Sequence, residues 1–97
     1  MRIISRKILR EFWENHPDAK TPLQVWFHDV ERASWSSPAD IKAVYQNASI
    51  LTSNRVVFNI KGNHYRLIVV VVYQHGIVYV RFVGTHAEYN RIDAATI

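Results

Sequence analysis

The stretch that most constrains the fold is Tyr65 to Tyr73, which reads Y-R-L-I-V-V-V-V-Y. Four consecutive valines are stiff at χ1, favour extended backbone and show no helical spacing. Such a run marks a central strand covered on both faces. Lys61-Gly62-Asn63-His64 precedes it and Gln74-His75-Gly76 follows it, both tight-turn signals. Arg55 to Ile60 and Ile77 to Val83 flank the turns and carry the same β-branched and aromatic bias. The second half of the chain therefore reads as three antiparallel strands.

The first half has a different period. Met1 to Ile4 is a short apolar segment suited to an edge strand. Ser5 offers an N-cap, and Ile8, Leu9, Phe12 and Trp13 form one helical stripe that Asn15-His16-Pro17 closes. Thr21-Pro22-Leu23-Gln24 is a capping box with proline at the first helical position. Its helix carries Val25, Trp26, Val30 and Ala33 and should end near Ser34 to Ser37. Ser37-Pro38-Ala39-Asp40 repeats the start signal for a short helix or turn with Ile41, Val44 and Tyr45 on one side. Asn47 to Asn54 reads as loop with a brief strand near Ile50-Leu51. Thr85-His86-Ala87-Glu88 caps a short terminal helix. The expected architecture is α+β: an N-terminal strand and two to three helices packed on one face of a twisted antiparallel sheet, then a short C-terminal helix.

Length and composition narrow the class. The 97 residues form one small domain, 1–97, and exceed the ~55–65 at which domains already fold alone. There is no cysteine, which removes disulfides and thiolate metal sites and fits a reducing cytoplasm. The longest strongly apolar run, Leu67 to Tyr73, is far short of the ~20 residues a membrane span needs. A soluble, cytoplasmic protein without a membrane partner is expected. The formal net charge is +4, which favours a polyanion such as RNA or an acidic protein partner.

Polar residues of one kind interrupt the apolar strands: Asn59, Lys61, Arg66 and Arg81, followed by His86 and Tyr89 on the terminal helix. Together they suit cleavage of RNA by attack of the 2′-OH on the adjacent phosphorus. That reaction needs a base at the 2′-OH, cations around the phosphorane and an acid at the leaving 5′-oxygen. Convergence depends on register. A two-residue Gly62-Asn63 loop sets Asn59 opposite Arg66, and a two-residue His75-Gly76 loop sets Val70 opposite Arg81. Alternation would then place Asn59, Arg66 and Arg81 on one face, with Thr85 near Arg66. Catalytic candidates are thus Arg66, Arg81, His86, Tyr89 and Lys61. RNA contacts are expected from Asn59, His64 and the basic face of the first helix, Arg6, Lys7 and Arg10. Other chemistries lack support. The histidines show no metal-ligand spacing, and there is no serine-hydrolase elbow and no phosphate-binding P-loop, so no cofactor or metal is expected.

The segments F-N-I-K-G-N-H-Y-R-L (58–67) and V-Y-V-R-F-V-G-T-H-A-E-Y (78–89), with Asn90-Arg91-Ile92-Asp93, resemble the signature of HigB-type toxins of type II toxin–antitoxin systems. P-L-Q-V-W (22–26) before S-P-A-D-I-K (37–42) resembles the same family, in which Asp more often stands where this chain has Asn90. The resemblance implies a RelE-like fold and an mRNA interferase that cuts messenger RNA on the translating ribosome, so that mRNA and rRNA are partners. It further implies neutralisation by a HigA-type helix-turn-helix antitoxin, with DNA contacted only through that complex. A ParE-like, gyrase-poisoning toxin shares the fold, and a non-catalytic RNA-binding module is the remaining alternative. The basic, histidine-bearing cluster favours the nuclease.

Overall fold

A computed structural model describes all residues, 1–97. Five strands form one sheet in the order β1-β5-β4-β3-β2: β1 is Arg2–Ile4, β2 Ser49–Ile50, β3 Arg55–Ile60, β4 Tyr65–Val72 and β5 Ile77–Thr85. Neighbours run antiparallel except β1, which lies parallel to β5 at the edge, so the sheet is mixed. The valine-rich strand is the central one, as its composition demands.

Helices α1 (Arg6–Asn15), α2 (Lys20–Arg32) and α3 (Pro38–Val44) build the layer on one face. Leu9, Leu23, Trp26, Val30 and Ile41 are their buried contributions. They meet Val56, Phe58, Ile60, Leu67, Val69, Val71, Val78 and Val80 from alternate strand positions. Phe58 lies at the centre, with the Trp26, Trp35 and Tyr45 rings at centroid distances of 5.5, 6.1 and 5.0 Å. Val57 and Ile68 are buried as well, yet stand outside this cluster and face the other side of the sheet. On that side Arg55 donates from Nε and Nη2 to the backbone oxygen of Ile97, at 3.0 and 2.8 Å. This ties the segment after α4 (His86–Tyr89) back to β3.

Two helix starts differ from the sequence expectation. Ser5 holds the N-cap position but is left-handed, φ 76°, and makes no side-chain cap bond. It is a corner between β1 and α1. Thr21 is not a cap, because a 3₁₀ turn at Pro17–Ala19 runs straight into α2 and makes Thr21 its second residue. Pro22 remains tolerated, since first-turn N–H groups need no helical partner. The far end of α2 stops at Arg32, where the Met1 nitrogen lies 3.2, 3.1 and 2.6 Å from the carbonyls of Val30, Glu31 and Ala33. At α3 the start signal holds: Asp40 Oδ2 accepts from the Ser36 and Ser37 backbone N–H groups at 2.8 and 3.3 Å.

The β3–β4 turn is tied to the helical layer by Asp18. Its carboxylate accepts from Lys61 Nζ at 2.6 Å and from the Tyr65 hydroxyl. These bonds, that of Lys61 first, hold the Asp18 carboxyl below the ordinary carboxylate range. A depressed folded-state pKa gives stability that is present above the unfolded value, about 3.9, and lost as pH falls through the folded one. Asp18→Asn should therefore lower the thermal midpoint at pH 6, with the deficit closing in acid, below the folded value. Melting curves under both conditions check this, and a deficit of equal size in both contradicts it.

Candidate active site

The first hairpin has the expected register: Asn59 pairs with Arg66 and Ile60 with Tyr65. The backbone supports it with left-handed Lys61 and Gly62, φ 52° and 63°, and with His64 N–H donating to the Lys61 carbonyl at 3.2 Å. The second hairpin overturns the expectation. Its connection is a 3₁₀ turn, Tyr73–His75, closed by left-handed Gly76, so it is longer than two residues. Val70 therefore pairs with Tyr79 and not with Arg81. A β-bulge then shifts the pairing between Ile68 and Val69: Val69 opposes Val80, Ile68 opposes Phe82, and Arg81 is the extra residue. Thr85 consequently pairs with Tyr65, and Arg66 faces Gly84.

The bulge leaves Arg81 exposed beside the Ile68–Phe82 pair. That pair lies two strand positions from Arg66, roughly 7 Å along the sheet. Arg81 thus comes close to the Arg66 row by a route that simple alternation does not describe.

Arg66 is half-buried on the face opposite the helical layer. Its Nη1 donates to the Asn63 and Tyr65 carbonyls at 3.1 and 3.4 Å, which orients the guanidinium. Its Cζ lies 5.8 Å from the Tyr89 ring centroid, a cation–π approach. Tyr89 is delivered by α4, whose start obeys the expected capping box. Glu88 N–H donates to Thr85 Oγ1 at 3.2 Å and Thr85 N–H to Glu88 Oε1 at 2.8 Å. The same two groups on Thr85 hold the Glu88 carboxyl below its ordinary range. His86, first residue of this helix, is exposed. Arg66 and Tyr89 are in contact, His86 is carried on the same short helix, Asn59 is the cross-strand neighbour of Arg66, and Arg81 stands two positions along.

The remaining expected contributors lie elsewhere. Lys61 turns its amine to Asp18, whose other oxygen holds the core-facing Tyr65, on the helical side of the sheet. His64 Nδ1 is 2.9 Å from the Lys61 carbonyl within the turn. Arg6 sits 4.7 Å over the Phe27 ring, Lys7 pairs with Glu11 at 3.7 Å, and Arg10 is exposed, all on α1 in the helical layer. A groove of about 310 Å³ between α1 and α2 includes Arg6 but none of the Arg66 group.

One contributor escaped the sequence reading. Gly84 is buried directly opposite Arg66, and a Cβ there would stand 2.5 Å from Phe82 Cζ and 3.3 Å from Glu88 Cβ. The missing side chain lets the Phe82 ring and α4 pack onto the sheet. A lone glycine inside a strand pattern is the signal that marks such a close approach. Gly84→Ala should push Phe82 and α4 outward, costing roughly 1–3 kcal/mol. Adding Phe82→Leu should restore part of the loss. Chemical denaturation of the single and double variants measures the coupling; additive effects would contradict this packing.

A five-stranded sheet with helices on one face and a basic, tyrosine- and histidine-bearing cluster on the other is the arrangement expected of a RelE-like toxin. The family described as HigB toxin, RelE-like toxic component of a toxin–antitoxin system, matches residues 19–92, and the chain belongs to that family. Among curated proteins it is similar to the mRNA interferase toxin HigB of Escherichia coli strain K12. The two are 29% identical over 96 residues, which covers 97% of this chain and 92% of that protein. The proteins named mRNA interferase HigB from Escherichia coli O157:H7 and Shigella flexneri match with the same identity and coverage. Membership in a toxin–antitoxin family implies an antitoxin as partner. No helix is long and apolar enough to cross a membrane.

Proposed function

We propose that the protein is an endoribonuclease that cleaves messenger RNA on the translating ribosome. In this reading a base takes the proton of the 2′-OH, the 2′-oxygen bonds to phosphorus, and the bond from phosphorus to the 5′-oxygen breaks. An acid protonates the leaving oxygen, and the products are a 2′,3′-cyclic phosphate and a 5′-OH end. Arg66 and Arg81 offset the charge on the phosphorane. His86 and Tyr89 are the groups for the two proton transfers. Lys61 would assist only after leaving its ion pair with Asp18 on the helical side of the sheet. Asn59 and His64 contact the flanking RNA, and Arg6, Lys7 and Arg10 offer a second basic surface for rRNA. Neutralisation falls to an antitoxin of the HigA type, and the activity belongs to the cytoplasm.

The observation that carries this reading is the Arg66–Tyr89 contact, made by a capped helix that also presents His86. The names of the curated relatives support it. Purified protein added to an in vitro translation reaction, followed by primer extension on the message, tests it. Breaks linked to codons are the expected result. Intact message with poisoned gyrase would point to the ParE-like alternative. Salt-dependent RNA binding without any break would point to a binding module.

A further inference from the structure

We infer that the pocket between β3 and the Val44–Ala48 connection is a base-reading subsite for the RNA strand whose phosphate lies at Arg66. The inference rests on the ribonuclease reading and extends it to substrate selection. The pocket holds about 410 Å³, within the ~300–1,000 Å³ that small-ligand sites occupy. It shares Asn59 with the candidate active site, and Asn59 is the direct cross-strand partner of Arg66. Cα atoms of such partners are about 5 Å apart, so one nucleotide can reach from the arginine into the pocket.

The lining fits a base. Gln46, Asn47 and Asn59 bring three exposed amide side chains to one opening. Each amide carries a donor pair and an acceptor, the set that reads a base edge bidentately. Val44, two-thirds exposed, supplies an apolar wall against which a base face can lie. Gly62 has no heavy atom near its missing Cβ, which leaves the mouth of the pocket open on the turn side. β2 is only two residues long and pairs with Val56 and Val57, so beyond it the outer edge of β3 is unpaired where the pocket lies.

The reading loop is held still. Lys42 Nζ donates to the Gln46 and Ala48 carbonyls at 2.5 and 2.9 Å, Ala48 N–H donates to Tyr45 at 3.0 Å, and Ala48 is buried. Tyr45 is wedged between Trp35 and Phe58, and its hydroxyl donates to Asp29 at 3.4 Å. Two amides on a clamped loop are pre-positioned, which is what discrimination between bases requires. The Lys42 charge beside them favours the RNA backbone.

The test maps cleavage ends by sequencing on one defined pool of messages for the wild type, Gln46→Ala and Asn47→Ala. The expected result is a loss of about tenfold in base preference at one position flanking the cut, with cleavage redistributed among sites. An unchanged preference at every position overturns the subsite, as does a uniform fall at all sites. Wild-type protein that cuts no RNA removes the ribonuclease reading and the subsite with it. Cutting with an unaltered profile removes the subsite alone. Both side chains are exposed, and melting curves confirm that each variant is folded.

Discussion

Arg66→Ala is expected to reduce RNA cleavage on the order of 10²–10³-fold while the protein still folds and binds its antitoxin. The magnitude is that of removing one well-placed charge stabiliser from a developing oxyanion. Arg66 qualifies because its position is defined. Two carbonyls and the Tyr89 ring hold its guanidinium on the open face of the sheet. Its bonds go to turn carbonyls that retain their backbone geometry, so the fold should suffer little. Arg66→Lys keeps the charge but loses the planar fork and should fall between wild type and Ala. His86→Gln should cost roughly 10²–10⁴-fold, the usual range for a proton-transfer group. Single-turnover cleavage of a fixed message, with circular dichroism and antitoxin titration as controls, measures all three. Full activity in both Arg66→Ala and His86→Gln would remove the site assignment.

Phe58→Ala should be the most damaging single truncation for stability, at about 3–5 kcal/mol. Phe58 is 1% exposed, and three aromatic rings from α2, the α2–α3 connection and the end of α3 close on it. Removing the ring leaves a hole that these large, interlocked neighbours cannot collapse into. In a domain near this size each kcal/mol lowers the thermal midpoint by about 4–8 °C, so a fall of ~12 °C or more is expected. A fall below ~4 °C would mean that the aromatic cluster is not the keystone of the core. Since Asn59 follows Phe58 in the same strand, cleavage by the surviving folded fraction should also decline.

Much of the fold was legible because it is local. The β3 boundaries, the brief β2 strand, the capping boxes at Ser37 and Thr85 and the register of the first hairpin all follow from periodicity and turn chemistry within a few residues. The second hairpin was not legible in the same way. Gln74-His75-Gly76 signals a turn but not its length, and the longer 3₁₀ connection displaced the pairing of Arg81. The bulge opposite Ile68 and Val69 carries no turn residue to announce it. Asp18, which holds Lys61 from 43 residues away, had no signal at all.

From its sequence alone this chain determined a central valine strand, an α+β order of elements and a set of arginine, histidine and tyrosine residues on the last two strands and the helix after them. Those are consequences of backbone preference and side-chain period, which act over one or two turns of chain. Tertiary structure alone decided which of the polar residues meet. Packing of Phe82 over Gly84 seats α4 so that Tyr89 touches Arg66, a bulge takes Arg81 out of the strand pairing, and Asp18 draws Lys61 to the helical side. Contacts of that kind join residues distant in sequence. They are selected by shape and charge in the folded state, where no local preference can specify them.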